Sequence, residues 1–251
     1  MAFRQNNIYK YEKGKPFKLS RSGIDSFIKC KRCFYLNKVG NIKDIGMPGF
    51  SLNIAHDELM KKELDIYRKK GESHPYMENL SRNLIPFEHE DLEVWRNNRK
   101  GIHFHHKETD LIITGSVDDV WEDIDTNELI IVEYKATSTK DKVDLNDGSE
   151  FKEQYKRQID IYQWLFKMNG FDVSNDSVFL YSNGLKTSRK FRDVIKFETY
   201  VFEYKGSTDW VEPKILEIKK ILDQETLPES GEKCKTCSYV LSVNSFQNTG
   251  V

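Results

Sequence analysis

The stretch Leu111–Thr137, LIITGSVDDVWEDIDTNELIIVEYKAT, decides how this 251-residue chain is read. Two runs rich in β-branched and aromatic residues, LIITGSVDDVW and LIIVEYKAT, flank the turn-like DIDTNE, and HFHHKETD lies just upstream. That pattern predicts a meander of strands. The apolar run LIIV before Glu133 has the character of a buried strand. Side chains two apart on a strand share a face, so Glu133 and Lys135 point together while Tyr134 points the other way. A hairpin neighbour would bring Asp118 alongside them. Alternation favours Asp118 over Asp119, because the two cannot face the same way. Glu and Lys two apart are commonly an exposed pair of little energetic weight. A buried strand, however, does not normally end in unpaired charge, so this trio reads as chemistry.

Hydrolysis of a phosphodiester needs a hard divalent cation on oxygen ligands, an activated water, and positive charge where the pentacoordinate phosphate gathers negative charge. Asp118 and Glu133 fit as ligands of Mg²⁺ or Mn²⁺. Lys135 fits the role of orienting or deprotonating the attacking water and stabilising the transition state.

Outward from this centre, the polar stretch Thr137–Ser149, with Asp147-Gly148, reads as a loop. Phe151, Tyr155, Ile159, Tyr162 and Leu165 then recur at helical spacing, with Gly170 placed to end the helix. SVFLYS and IKFETYVFEY predict two more strands, and a last helix spans Trp210–Leu222. On the N-terminal side, Ser20 or Ser22 could cap a helix through Ile24, Phe27 and Ile28, and Leu52–Tyr67 reads as a longer amphipathic helix. Residues 74–100 show no clear period. Strands enclosed by helices predict an α/β fold, a mixed central sheet flanked by helices, in one domain over residues 1–251.

The motifs resemble those of the PD-(D/E)XK nuclease superfamily, in particular its RecB-like branch, which includes CRISPR-associated adaptation nucleases and phage recombination exonucleases. His56, in NIAHDEL, looks like the branch's metal-binding histidine. Gly115–Asp118 looks like the second motif and Glu133–Lys135 the third, and Gln158 and Tyr162 in RQIDIYQW resemble its Q-x-x-x-Y helix motif. Asn53 stands where the branch often has glycine. The resemblance implies a restriction-endonuclease-like core, His56 and the main-chain carbonyl of Tyr134 as further metal contacts, and Gln158 and Tyr162 in the catalytic machinery. An imidazole beside two carboxylates suits Mn²⁺ in particular. Residues four apart share a helix face, so Gln158 and Tyr162 can both reach the scissile region.

All four cysteines fall in two C-x-x-C pairs, Cys30/Cys33 and Cys234/Cys237. Segments 20–40 and 225–240 are therefore expected to join the chain's ends through one tetrathiolate metal site, zinc or an iron–sulfur cluster. The branch's familiar cluster pattern has one N-terminal and three C-terminal cysteines, so the even division here leaves the metal open.

The 39 Lys and Arg against 40 Asp and Glu leave a net charge of -1, so there is no global attraction to nucleic acid and any DNA contact must be local. Lys140, Lys142, Lys152, Lys156 and Arg157 form a candidate patch, although the interleaved acids favour a solvated helix face. No apolar run reaches membrane-span length and the N-terminus lacks a leader's apolar core, so a cytoplasmic protein without membrane contact is expected. The expected activity is a Mg²⁺- or Mn²⁺-dependent deoxyribonuclease acting on single-stranded or end-containing duplex DNA, in recombination, repair, phage replication or CRISPR adaptation. No phosphate-binding G-x-x-x-x-G-K-[ST] motif is present, so processive action would need a helicase, recombinase or adaptation partner. The alternative is a catalytically silent nuclease-fold subunit that binds DNA or a partner.

Overall fold

The computed structural model describes residues 8–12, 14–43 and 49–249. Much of the N-terminal stretch read above for a leader lies outside them. In chain order the elements are β1 (Phe17–Ser20), α1 (Arg21–Lys29), α2 (Lys31–Lys38), α3 (Ser51–Lys70), β2 (Leu84–Pro86), α4 (Leu92–Trp95), β3 (Ile102–His106) and β4 (Leu111–Gly115). Then follow β5 (Asp119–Asp123), β6 (Leu129–Thr137), α5 (Glu150–Met168), β7 (Val173–Gly184), β8 (Phe197–Lys205), α6 (Val211–Asp223) and α7 (Lys235–Asn248). The chain divides into two compact units, one of residues 49–103 and 115–208, the other of residues 1–48, 104–114 and 209–251.

The first unit holds a five-stranded sheet in the order β2-β5-β6-β7-β8. β5 and β6 pair antiparallel, Asp119 opposite Val132, as the turn DIDTNE requires. β6 and β7 pair in parallel, Lys135 opposite Tyr181. A parallel pair needs a long crossover, which α5 supplies. Met60 and Leu64 of α3 pack with Trp121, Ile130, Val132, Tyr134, Val178 and Leu180 in one core. The alternate residues of β6, Glu133 and Lys135, face α5, where Lys135 bonds Gln158. β6 is thus covered on both faces and carries the continuous apolar run that its sequence shows.

The second unit holds a three-stranded sheet, β1-β4-β3, with β1 and β4 parallel. Ser20 caps α1, its hydroxyl accepting from the Gly23 amide at 3.2 Å. Ile24, Phe27 and Phe34 of α1 and α2 are fully buried, and both helices pack against α6.

The expected α/β architecture, with sheets flanked by helices, is present, while the meander is not one sheet. LIITGSVDDVW ends its first strand at Gly115 and begins the next at Asp119, and β4 belongs to a different sheet from β5 and β6. Residues 74–100 resolve into a short turn of helix, β2 and α4. The expected tail around Cys234 and Cys237 is instead the 14-residue helix α7. Among the described residues no helix is long and apolar enough to cross a membrane.

Candidate active site and cysteine cluster

Asp118 sits in the break just before β5. Its carboxylate accepts from the backbone amide of Tyr134 at 2.9 Å, which fixes it against the end of β6. Its side chain is 21% exposed. Burial, with the nearby Glu133 charge, pushes its carboxyl up to about 7. Lys135, Lys61 and the Tyr134 amide oppose that rise. Asp118, Glu133 and Lys135 are therefore electrostatic neighbours.

Glu133 is 2% exposed. One carboxylate oxygen accepts from Lys135 Nζ at 2.5 Å, and the other, Oε2, is buried with no protein partner. A buried anionic oxygen without a donor is costly, and a cation relieves that cost directly. Lys135 Nζ also donates to Gln158 Oε1 at 3.2 Å and lies 4.3 Å from the centroid of Tyr155. Gln158 Nε2 in turn donates to Tyr162 at 3.0 Å. The four-residue spacing of Gln158 and Tyr162 thus builds a chain of hydrogen bonds that ends on the lysine.

Tyr134 turns to the opposite face, where its hydroxyl donates to Asp119 at 2.7 Å. Asp119 is fully buried and also takes Arg68 at 2.5 Å and Arg96 at 2.8 Å. Asp119 is thereby occupied in a structural network, and Asp118 faces Glu133.

The half-buried ring of His56 lies 5.2 Å from that of Phe197, and burial pushes its pKa down against the opposing Asp57 charge. The ligand atoms of His56, Asp118 and Glu133 do not all come within 4.8 Å of one another. The next residue on α3, Asp57, is the one turned towards Asp118. Lys61 lies between them, 2.8 Å from Asp57 and 3.8 Å from Asp118, and burial and the Asp118 charge raise the Asp57 carboxyl. Sequence reading missed Asp57 and Lys61, although their spacing of four on one helix face was available. It also missed how Lys152 is used. Lys156 and Arg157 are paired with Glu153 and Glu150 on the helix surface, whereas Lys152 is buried, donating to Tyr181 at 2.7 Å and lying 3.9 Å over its ring.

In the second unit, the four cysteine sulfurs lie within 4.8 Å of one another. Cys30 Sγ accepts from the amides of Gly231 at 3.2 Å and Cys33 at 3.5 Å. Burial pushes the Cys30 thiol up, but these donors bring it down to about 7. Burial raises Cys33, and it raises Cys237 to about 11. A Cβ on residue 231 would stand 2.6 Å from the Lys29 carbonyl, so glycine is required for this approach. Four clustered sulfurs, one already held by two amide donors, form a donor set that fits a tetrathiolate-bound metal.

Two acids and a lysine thus meet where Asp118 lies against the end of β6, an arrangement that could hold a divalent cation. The chain belongs to the PD-(D/E)XK nuclease superfamily, whose model matches residues 18–240. Nucleases of this superfamily use divalent metals, and the unpartnered Glu133 oxygen beside Asp118 fits one. The crystal structure of SSO0001 is similar over 93% of this chain and 87% of that chain, at 14% identity and a TM-score of 0.36, a likeness too slight to carry an argument. No curated protein is matched.

Proposed function

We propose that this chain is a Mg²⁺- or Mn²⁺-dependent deoxyribonuclease of the RecB-like branch, hydrolysing DNA phosphodiester bonds. The observation that carries this reading is the buried, unpartnered Oε2 of Glu133 beside Asp118, with Lys135 bonded to the other Glu133 oxygen. Asp118, Glu133 and the main-chain carbonyl of Tyr134 would hold the cation. His56 would join them as a further ligand. The cation supplies Lewis acidity and neutralises phosphate charge. Lys135 orients the attacking water and offsets the negative charge that builds on the phosphate. Gln158 fixes the Lys135 ammonium, and Tyr162 fixes Gln158. The cysteines would carry zinc or an iron–sulfur cluster with a structural role, in a cytoplasmic protein whose residues 1–251 act as one nuclease domain. Action on strand ends, with a helicase, recombinase or CRISPR adaptation partner, completes the reading.

The test is cleavage of end-labelled single- and double-stranded DNA with Mg²⁺, Mn²⁺ or chelator. Lys135→Ala is expected to abolish cleavage and spare most DNA binding. Unchanged cleavage would remove the mechanism. Binding without cleavage by the unaltered protein would leave the catalytically silent subunit.

A further inference from the structure

We infer that the outer edge of β8 pairs antiparallel with the same strand of a second copy of this chain, joining the two five-stranded sheets into one. β8 (Phe197–Lys205) is the last strand of its sheet, and among the described residues no strand lies beyond it. It is nine residues long, contains no proline, and keeps one unbroken register against β7. The Leu185 amide donates to the Lys196 carbonyl and the Gly206 amide to the Asn175 carbonyl, each at 2.8 Å. An antiparallel ladder alternates, so the even-numbered residues of β8 bond to β7. Phe197, Thr199, Val201, Glu203 and Lys205 therefore turn their amides and carbonyls outward. No described residue bonds to these outward backbone groups. A long edge of unpaired amides and carbonyls is a template for another strand.

The sequence of β8 selects a second copy of itself as that strand. A two-fold axis at Val201 is the register that pairs all nine residues with one another, and it matches outward groups to outward groups. Phe197 then faces Lys205 of the second copy, Glu198 faces Tyr204, Thr199 faces Glu203 and Tyr200 faces Phe202. No like charges meet, and the aromatic pair is a favourable cross-strand neighbour. Registers centred on Glu198 or on Glu203 would instead set that glutamate against its own copy. The charges on this edge thus discriminate among pairings. Tyr200 and Phe202 already stack within one copy, centroids 6.2 Å apart, so the two copies would bring four rings together. Phe197, 45% exposed, would be covered by the lysine stem of the second copy. The sheet rows also run on across the axis. Lys135 lies opposite Tyr181 and Tyr181 opposite Tyr200, and Phe202 of the second copy leads through Phe179 to Glu133. Both Glu133–Lys135 pairs then lie on one face of the joined sheet, five strand spacings or roughly 24 Å apart.

The experiment is sedimentation equilibrium of the full chain, without DNA, over a range of concentrations. The unaltered protein is expected to associate as a dimer. Phe197→Lys, at an exposed site, sets lysine against Lys205 twice in each dimer and should weaken association about tenfold. Adding Lys205→Glu sets lysine against glutamate and should restore it. Amide hydrogen exchange of the unaltered protein gives a second measurement that needs no variant: exchange at Thr199, Val201 and Glu203 should slow as concentration rises. A monomer at every concentration overturns the inference, as does exchange at these amides that ignores concentration. A dimer that Phe197→Lys leaves unmoved, or that Lys205→Glu fails to restore, overturns it too. None of these outcomes depends on whether the protein cleaves DNA.

Discussion

The Asp118 carboxyl, held near 7 by burial and by Glu133, leads to a prediction with a definite sign. Its folded-state pKa exceeds its ordinary value of 3.8, so the folded state favours the protonated acid. The associated stability is full below the ordinary carboxyl range and is lost as pH rises through about 7. In chelator, Asp118→Asn should match the unaltered protein near pH 4 and exceed it by on the order of 2 kcal/mol at pH 8, as read by urea unfolding. On the proposed reading Mn²⁺ would bind the folded state, so it should raise the Tm of the unaltered protein and leave that of Asp118→Asn unmoved. Equal responses of the two proteins to Mn²⁺ would remove Asp118 from the cation. At this scale the sequence was readable where strand alternation sufficed: Glu133 with Lys135, Tyr134 opposite, and Asp118 rather than Asp119. The positions of His56 against Phe197 and of Asp57 against Asp118 depend on the rotation of α3, which its own periodicity does not set against the sheet.

Among elements, α3, α4, β5 and β6 are tied together through Asp119. Arg68 comes from α3, Arg96 caps α4, and Tyr134 comes from β6, all converging on one fully buried carboxylate. Asp119→Ala leaves two buried guanidinium groups short of their anion and should cost about 3–5 kcal/mol. Tyr134→Phe removes one neutral donor and should cost about 1 kcal/mol. Chemical denaturation measures both, and titration calorimetry with Mn²⁺ should show the affinity of Tyr134→Phe unchanged. The strands on either side of DIDTNE were legible because their composition alternates with turn residues. Their division into two sheets was not, because pairing partners such as β1 with β4 lie some ninety residues apart. α7 escaped notice because its apolar residues have no helical stripe: Tyr239, Val240, Leu241 and Phe246 are all exposed.

Across the whole molecule, the proposed nuclease residues all fall in the unit of residues 49–103 and 115–208, and the four cysteines all fall in the other. The cysteine unit is assembled from both ends of the chain and a central hairpin. Cys33 and Cys234 are 201 residues apart in sequence, with sulfurs 3.5 Å apart. A metal there closes a very long loop, and its binding energy is folding energy. Cys33→Ser, or removal of the metal by a strong chelator, should lower Tm by roughly 10 °C. Metal analysis and the absorption spectrum identify the ion: brown with visible absorbance for iron and sulfur, colourless for zinc. Full metal content in Cys33→Ser at an unchanged Tm would remove the site. The paired C-x-x-C spacing made this cluster readable, whereas the amide donors that favour the Cys30 thiolate were visible only in the fold.

Gly101, at φ 63°, would place a Cβ 2.2 Å from the Gly115 carbonyl, and Gly115 would place one 2.5 Å from the ring of Tyr162. Neither position carries a reactive group, yet added bulk at either is passed to the tyrosine and, through Gln158, to the ammonium of Lys135. A genetic selection for inactive clones should therefore recover alanine and serine at 101 and 115 alongside losses of the charged residues. A map of such clones would trace the outline of one aromatic ring.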